Sequence, residues 1–500
     1  MSTALITGDY ILTGFASDGT PVLHQDAALL VIDGRVAALG PLRELRRVHP
    51  EVPEHGGRGR IVIPGLINAH HHVGLTPFQL GARDQPLELW FAERLRMRDV
   101  DPWLDTLYSG FEMVASGVTC VQHLHSRAAG DIDRVISTAE SIIGAYEALG
   151  MRASYSFAMR DQNRMIYAAD EDFISRLPVH LRDAMASYLH GFALPLEDQI
   201  AVFHHLNARW PGDGRIAIQI APSNLHWLSD AALDAAARLH AATGAPMHMH
   251  LLETPYQKEY ARRRTGGSAL DFIDQFGLVG PQLTIGHGVW MTDDDLALLA
   301  ERGGCLCHNC SSNMRLKSGT ADLNSFLATG LPVALGIDEA GLNDDRDMLQ
   351  EMRLAMTLHR PAGHESRSPS AAQILQMATS GGAATTPFGA RIGQLQIGCA
   401  ADVVILDWQK VTWPWQDPEL PLVDVLIRRA KAGAVETVMV AGETIYHMGD
   451  FTRIARDQIL EEIASRLRAP LSGTEETRRS MALEVMDHVA AFYCDWKIDT

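Results

Sequence analysis

Residues 61–72 read IVIPGLINAHHH. A short apolar run that ends in three histidines is the pattern of a buried strand whose end reaches a polar face. Side chains alternate along a strand, so His70 and His72 point one way and His71 the other. Two imidazoles on one face can hold a metal, although three adjacent histidines can also be no more than a polar loop. Seven more apolar runs follow, at 118–125, 152–157, 215–220, 246–250, 283–285, 305–308 and 332–337, each succeeded by loop or helix-like sequence. Counting 61–63 as the first, eight strands alternating with helices predict an α/β fold, a (β/α)8 TIM barrel. Helix starts are marked by Thr254 before Pro255 and by Thr292 with Asp295 three residues on.

The two ends have a different texture. Up to residue 60, short β-rich runs alternate with the turn dipeptides Asp18-Gly19 and Asp33-Gly34, a strong hairpin signal. Similar runs return at 401–407 and 436–445. The expected plan is a small β-sandwich built from residues 1–60 and 391–448, a barrel over 61–390, and a helical tail over 449–500. In the tail, Ile459, Leu460, Ile463 and Leu467 recur at helical spacing and need apolar cover. Either the barrel or a second copy can supply it.

With 43 basic and 61 acidic residues the 500-residue chain carries a formal charge of −18. An acidic chain without a long Lys/Arg run is a poor match for nucleic acid or an anionic membrane surface. No apolar run is long enough to span a bilayer, and the first residues do not have the pattern of a signal peptide. Six cysteines in 500 residues, three of them at 305, 307 and 310, make no disulfide framework, so a reducing cytoplasm is expected. Cys305, Cys307 and Cys310 read as small core residues rather than a second metal cluster.

Further chemistry stands at the ends of the runs. In PMHMHLLE (246–253), a His at a strand end with Glu253 after it can place an imidazole on a metal and a carboxylate beside the water it activates. Alternation allows either His248 or His250, and the spacing to Glu253 favours His250. His287 in TIGHG and Asp338 in LGID follow the sixth and eighth runs. Alone, His287 could be a satisfied core imidazole and Asp338 the partner of an arginine. All of them fall at the C-terminal ends of the expected barrel strands, the face where barrel active sites are built. His123 and His125 alternate at the end of the second run and are expected to line the cavity. Trp90, Asn224, His226 and Asn313 are candidate substrate contacts from the loops.

The stretches PGLINAHHH, HMHLLET, GHG, HNCSSNMRLKSG and LGIDEAGLNDDRDMLQEMR, with the closing IGQLQIGCAADVVI, resemble the ordered motifs of the amidohydrolase superfamily. The likeness is to its cytosine-deaminase-like branch, with guanine, S-adenosylhomocysteine and triazine aminohydrolases. The resemblance implies His70, His72, His250 and Asp338 as metal ligands, with Glu253 as proton shuttle. It implies His287 as a residue that ligates the metal or orients its water. Residues 215–222 contain no lysine that could become the bridging ligand of two-metal branches, so the resemblance implies one divalent metal. Zn²⁺ comes first, and Fe²⁺ and Mn²⁺ also suit His and Asp ligands. The activity it implies is hydrolytic deamination of an amino-substituted N-heterocycle of purine, pterin, pyrimidine or triazine type, in a homodimer or larger assembly. The alternatives are displacement of chloride or an alkylamine, opening of a cyclic or urea-like amide, and a non-catalytic scaffold, against which the complete residue set speaks. Glu339, where relatives commonly carry Gly, adds a carboxylate near the metal face.

Overall fold

A computed structural model describes residues 3–126, 128–364 and 366–498. Its middle holds nine short, buried strands: β1 Leu66–His71, β2 Val118–His125, β3 Arg152–Met159, β4 Ile216–Ile218, β5 Ala221–Pro222, β6 Met247–Leu251, β7 Leu283–His287, β8 Cys305–His308 and β9 Val333–Leu335. They form two all-parallel sheets. One runs β5-β3-β2-β1, with β4 also on β3, and the other runs β6-β7-β8-β9. Two isolated parallel bridges, Ile220 to Met247 and His71 to Asp338, lie between them. Strands covered by helices on their outer side are buried on both faces, which is why they read as continuous apolar runs.

The connecting helices begin where the sequence places caps. Thr254 accepts from the Gln257 amide at the start of Pro255–Thr265, and Thr292 and Asp295 form a reciprocal box at the start of Asp293–Arg302. Helix Ile132–Leu149 stops at Gly150, whose φ of 79° suits glycine.

The strands from the two ends of the chain pair in a single nine-stranded sheet. Its order is Asp450–Phe451, Glu443–His447, Val435–Val440, Val403–Asp407, Glu54–Pro64, Thr3–Phe15, Ala27–Ile32 and Arg35–Pro41, with Pro21–Gln25 on the free part of Thr3–Phe15. Asp33 and Gly34, at φ 48° and 76°, make the tight turn between two of these strands. The run at 61–63 is a correction to the sequence reading. Ile61, Val62 and Ile63 belong to this sheet, opposite Leu406, Ile405 and Val404, and the first central strand starts at Leu66. Periodicity cannot distinguish two buried strands in succession. The junction is Gly65, where a Cβ would stand 2.1 Å from the Thr119 hydroxyl oxygen, so only glycine lets the chain pass.

A buried ion pair ties this sheet to the central strands. Arg152 at the start of β3 meets Asp402 through Nε to Oδ2 at 2.8 Å and Nη2 to Oδ1 at 3.0 Å, and Asp402 Oδ1 also accepts from the Ala441 amide at 2.8 Å. Removing one partner of such a pair leaves an uncompensated buried charge. We expect Arg152→Ala to cost about 3–5 kcal/mol, read as a lower denaturant midpoint; an unchanged midpoint would show that the pair holds nothing together.

The tail forms helices Arg456–Arg468 and Gly473–Tyr493. The stripe Ile459, Leu460, Ile463 and Leu467 packs with Leu75, Met97, Leu104 and Trp103 of its own chain. Met481, Val485 and Val489 pack with Leu95, Ile166 and Phe173. The stripe is therefore covered without a second copy. Among the described residues no helix is long and apolar enough to cross a membrane.

Candidate metal centre and its cavity

The ends of β1, β6 and β7 and the turn after β9 bring six of the sequence-selected residues together. His70 Nε2 and His250 Nε2 each lie 3.0 Å from His72 Nε2. The His72 Nδ1 faces the Leu124 carbonyl at 2.5 Å and the His250 Nδ1 faces the Ser223 carbonyl at 2.8 Å. A carbonyl only accepts, so both Nδ1 atoms carry their protons and both Nε2 atoms present lone pairs. Lone pairs facing one another at 3.0 Å repel unless a cation or a proton lies between them.

Asp338 closes the group. Its Oδ1 is 3.1 Å from His72 Nε2 and 3.6 Å from His70 Nε2, while Ser312 donates to its Oδ2 at 2.6 Å. His287 Nε2 lies 3.7 Å from Asp338 Oδ2 and has no hydrogen-bond partner among the described residues, and its Nδ1 is held by Asn313 Oδ1 at 2.8 Å. Glu253 Oε1 is 3.7 Å from His287 Nδ1, takes a bond from Ser318 at 3.3 Å, and sits beside Gln257. His70, His72 and His250, and again His70, His287 and Asp338, are sets able to hold an ion. Imidazole lone pairs with a carboxylate fit a borderline divalent cation.

Burial sets the charge state. It drives the His70 and His250 imidazoles well below their ordinary range, helped by the neighbouring rings, so both are neutral and ready to ligate. Burial also pulls His72 down, but contact with the Asp338 carboxylate outweighs it and raises His72. For Asp338 the same contact overcomes burial and holds the carboxyl below its usual range. Glu253 is raised by burial, with the nearby His287 opposing the rise.

Two of these residues sit on unusual backbone. His287 has φ 70° and Asp338 φ 64°, in the left-handed region that non-glycine residues seldom occupy. Strain of this kind is retained where the surrounding structure imposes it.

His72, His250, Glu253, His287, Asp338 and Glu339 all line one cavity. Its walls are aromatic, with Trp90, Phe91, Phe192 and Trp227, and Arg94, Arg160 and Arg164 also line it. Of the candidate substrate contacts only Trp90 lines it. His123 and His125 face a neighbouring cavity that also touches His72 and Tyr188, and His123 Nδ1 pairs with the Tyr146 hydroxyl at 2.9 Å. Asn224 is buried outside the lining, and Asn313 supports His287 instead of facing the cavity. His226 is tilted against the Tyr167 ring, with centroids 4.1 Å apart, behind Trp227. These departures share a cause: sequence position assigns a residue to a loop but not to the side of the loop that faces the cavity. The sequence reading missed the three arginines and most of the aromatic wall. Arg160, directly after β3, could have been found by the strand-end rule, whereas Phe91, Arg94 and Phe192 carry no periodic signal.

The family model described as the amidohydrolase family matches residues 61–445. The 5-methylthioadenosine/S-adenosylhomocysteine deaminase of Desulfovibrio desulfuricans is 30% identical over 448 residues, covering 88% of this chain and 92% of that protein. An adenosine deaminase from Xanthomonas campestris with bound zinc has a TM-score of 0.76 at 24% identity, over 96% of this chain and 99% of that one. The zinc complex of the atrazine chlorohydrolase TrzN from Arthrobacter aurescens has a TM-score of 0.79 at 20% identity, over 92% and 99%. At such identities the two structures speak to the fold alone. The family match runs over His70, His72, His250, Glu253, His287 and Asp338 and most of the chain, and the chain belongs to the amidohydrolase family.

Proposed function

We propose that this chain is a metal-dependent hydrolytic deaminase of an amino-substituted N-heterocycle, and that an adenosine-type purine is the first substrate class to test. The observation that carries the reading is the meeting of three converging imidazoles, Asp338 and Glu253 beside an aromatic cavity. The names of the sequence relatives support the purine.

In this reading His70, His72, His250 and Asp338 hold one divalent ion, Zn²⁺ first and Fe²⁺ or Mn²⁺ also compatible. When bound, the ion supplies a Lewis acid that lowers the pKa of water toward neutrality. Trp90, Phe91 and Trp227 clamp the ring, so that the carbon bearing the amino group faces Glu253 and His287. The Glu253 carboxylate takes one proton from the attacking water and delivers it to a ring nitrogen, then takes a second from the hydroxyl now on carbon and delivers it to the departing amine. A C–O bond forms, the C–N bond breaks, and ammonia leaves. Asn313 accepts from His287 Nδ1–H and fixes its ring, so Nε2 remains the face turned to the reacting oxygen. Chloride or alkylamine displacement needs the same residues and is the second reading.

In the same reading the two parallel sheets form one (β/α)8 barrel within 61–390, its first strand starting at Leu66 and the two isolated bridges closing it. The terminal sheet curls into a sandwich from 1–60 and 391–448, and 449–500 is the tail. One apolar cluster that gathers Ile6, Leu29, Val62, Val403 and Met439 supports that curl. Placement in the cytoplasm and a homodimer or larger assembly remain part of the proposal; a monomeric mass at micromolar concentration would remove the assembly.

The test is elemental analysis joined to a substrate panel. One zinc per chain is expected, with ammonia released from adenosine-type purines faster than chloride or alkylamine from triazines. Two stoichiometric metals, or an active protein without metal, would overturn the metal assignment, and chloride release in the lead would install the second reading.

A further inference from the structure

His72 and His250 have their Nδ1 protons fixed by main-chain carbonyls, of Leu124 and Ser223. His70 does not. Its Nδ1 meets a side chain, His248 Nε2, at 2.9 Å. The ring that alternation leaves as a rival for His250 therefore points at the back of His70, away from the cavity. The two rings meet across Gly286, where a Cβ would come within 3.1 Å of both His248 Nε2 and His70 Cε1, so the glycine in TIGHG keeps the space between them clear. Both His70 and His248 are fully buried, so bulk water does not compete for the bond between them.

We infer that His248 is a positioning residue for the metal centre, accepting the His70 Nδ1 proton and so keeping the His70 Nε2 lone pair aimed at the site. The inference rests on the metal reading above. Outer partners of this kind set the tautomer and orientation of a ligating imidazole, and losing one typically costs about 10–100-fold in metal affinity. Of the three imidazoles, His70 alone has a partner here that substitution can remove.

The probe is zinc alone, bound to the full chain and measured by equilibrium dialysis against a competing chelator. His248→Gln places an amide oxygen near the position of the lost Nε2 and is expected to bind zinc within about threefold of wild type. His248→Asn is also polar but too short to reach, and is expected to bind about 10–100-fold more weakly. Packing damage would weaken both alike, so the Gln variant separates positioning from bulk. Equal affinity in all three proteins, or an equal loss in both variants, would overturn the inference. A wild type that binds no zinc would instead sink the metal reading, and the inference with it.

Discussion

Replacing Glu253 by Gln is expected to lower turnover by about 10²- to 10⁴-fold while the metal content stays at the wild-type level. The amide keeps the shape and can still meet Ser318 and Gln257, but it cannot shuttle a proton. Glu253 is buried, lies outside the cluster of converging imidazole nitrogens, and stands beside His287. Burial raises its pKa, so the base form is lost as pH falls through a value above the ordinary glutamate range. The acidic limb of the rate profile should lie above that range in the wild type, and the residual rate of Glu253→Gln should not show it. Ammonia release against pH, with zinc measured on the same samples, checks both points. A variant within tenfold of wild type would end the shuttle role.

His250→Ala is expected to lose metal and turnover together. The substitution removes one of the three converging Nε2 atoms and leaves His72 Nε2 without the neighbour that lies 3.0 Å away. His226→Ala makes the informative control, because His226 is buried more deeply than His250 but lies behind Trp227. Zinc measured after dialysis should be near zero in the first variant and near one per chain in the second. Full zinc occupancy in His250→Ala would mean that a different residue set holds the ion.

The difference between these two histidines shows what a sequence can carry. Strand alternation separates His70 and His72 from His71, which turns away to meet the Ser109 hydroxyl at 3.2 Å. The alternation rule stops at parity, so it could not choose between His248 and His250; the geometry shows them on opposite sides of His70. The seven apolar runs from 118 to 337 were legible because parallel strands are buried on both faces. Ile61 to Ile63 were misplaced for the same reason, since a buried strand of the terminal sheet has the same composition as one of the central strands. The aromatic wall and the arginines come from helix Leu87–Glu93 and from loops, where no period marks the inward side.

The joining of the chain's two ends in one sheet has a consequence for biosynthesis. Strand Glu54–Pro64, which leads straight into His70, pairs on one side with Thr3–Phe15 and on the other with Val403–Asp407. Roughly 340 residues separate the second partner from it, and at about 5–20 residues per second a ribosome needs about 17–70 s to deliver them. For that interval a fully apolar strand edge, Ile61 to Ile63, has no native neighbour. The ribosome-bound chain is then open to intermolecular strand pairing, and fragments ending before Val403 should collect in the insoluble fraction even when every metal-centre residue is already present.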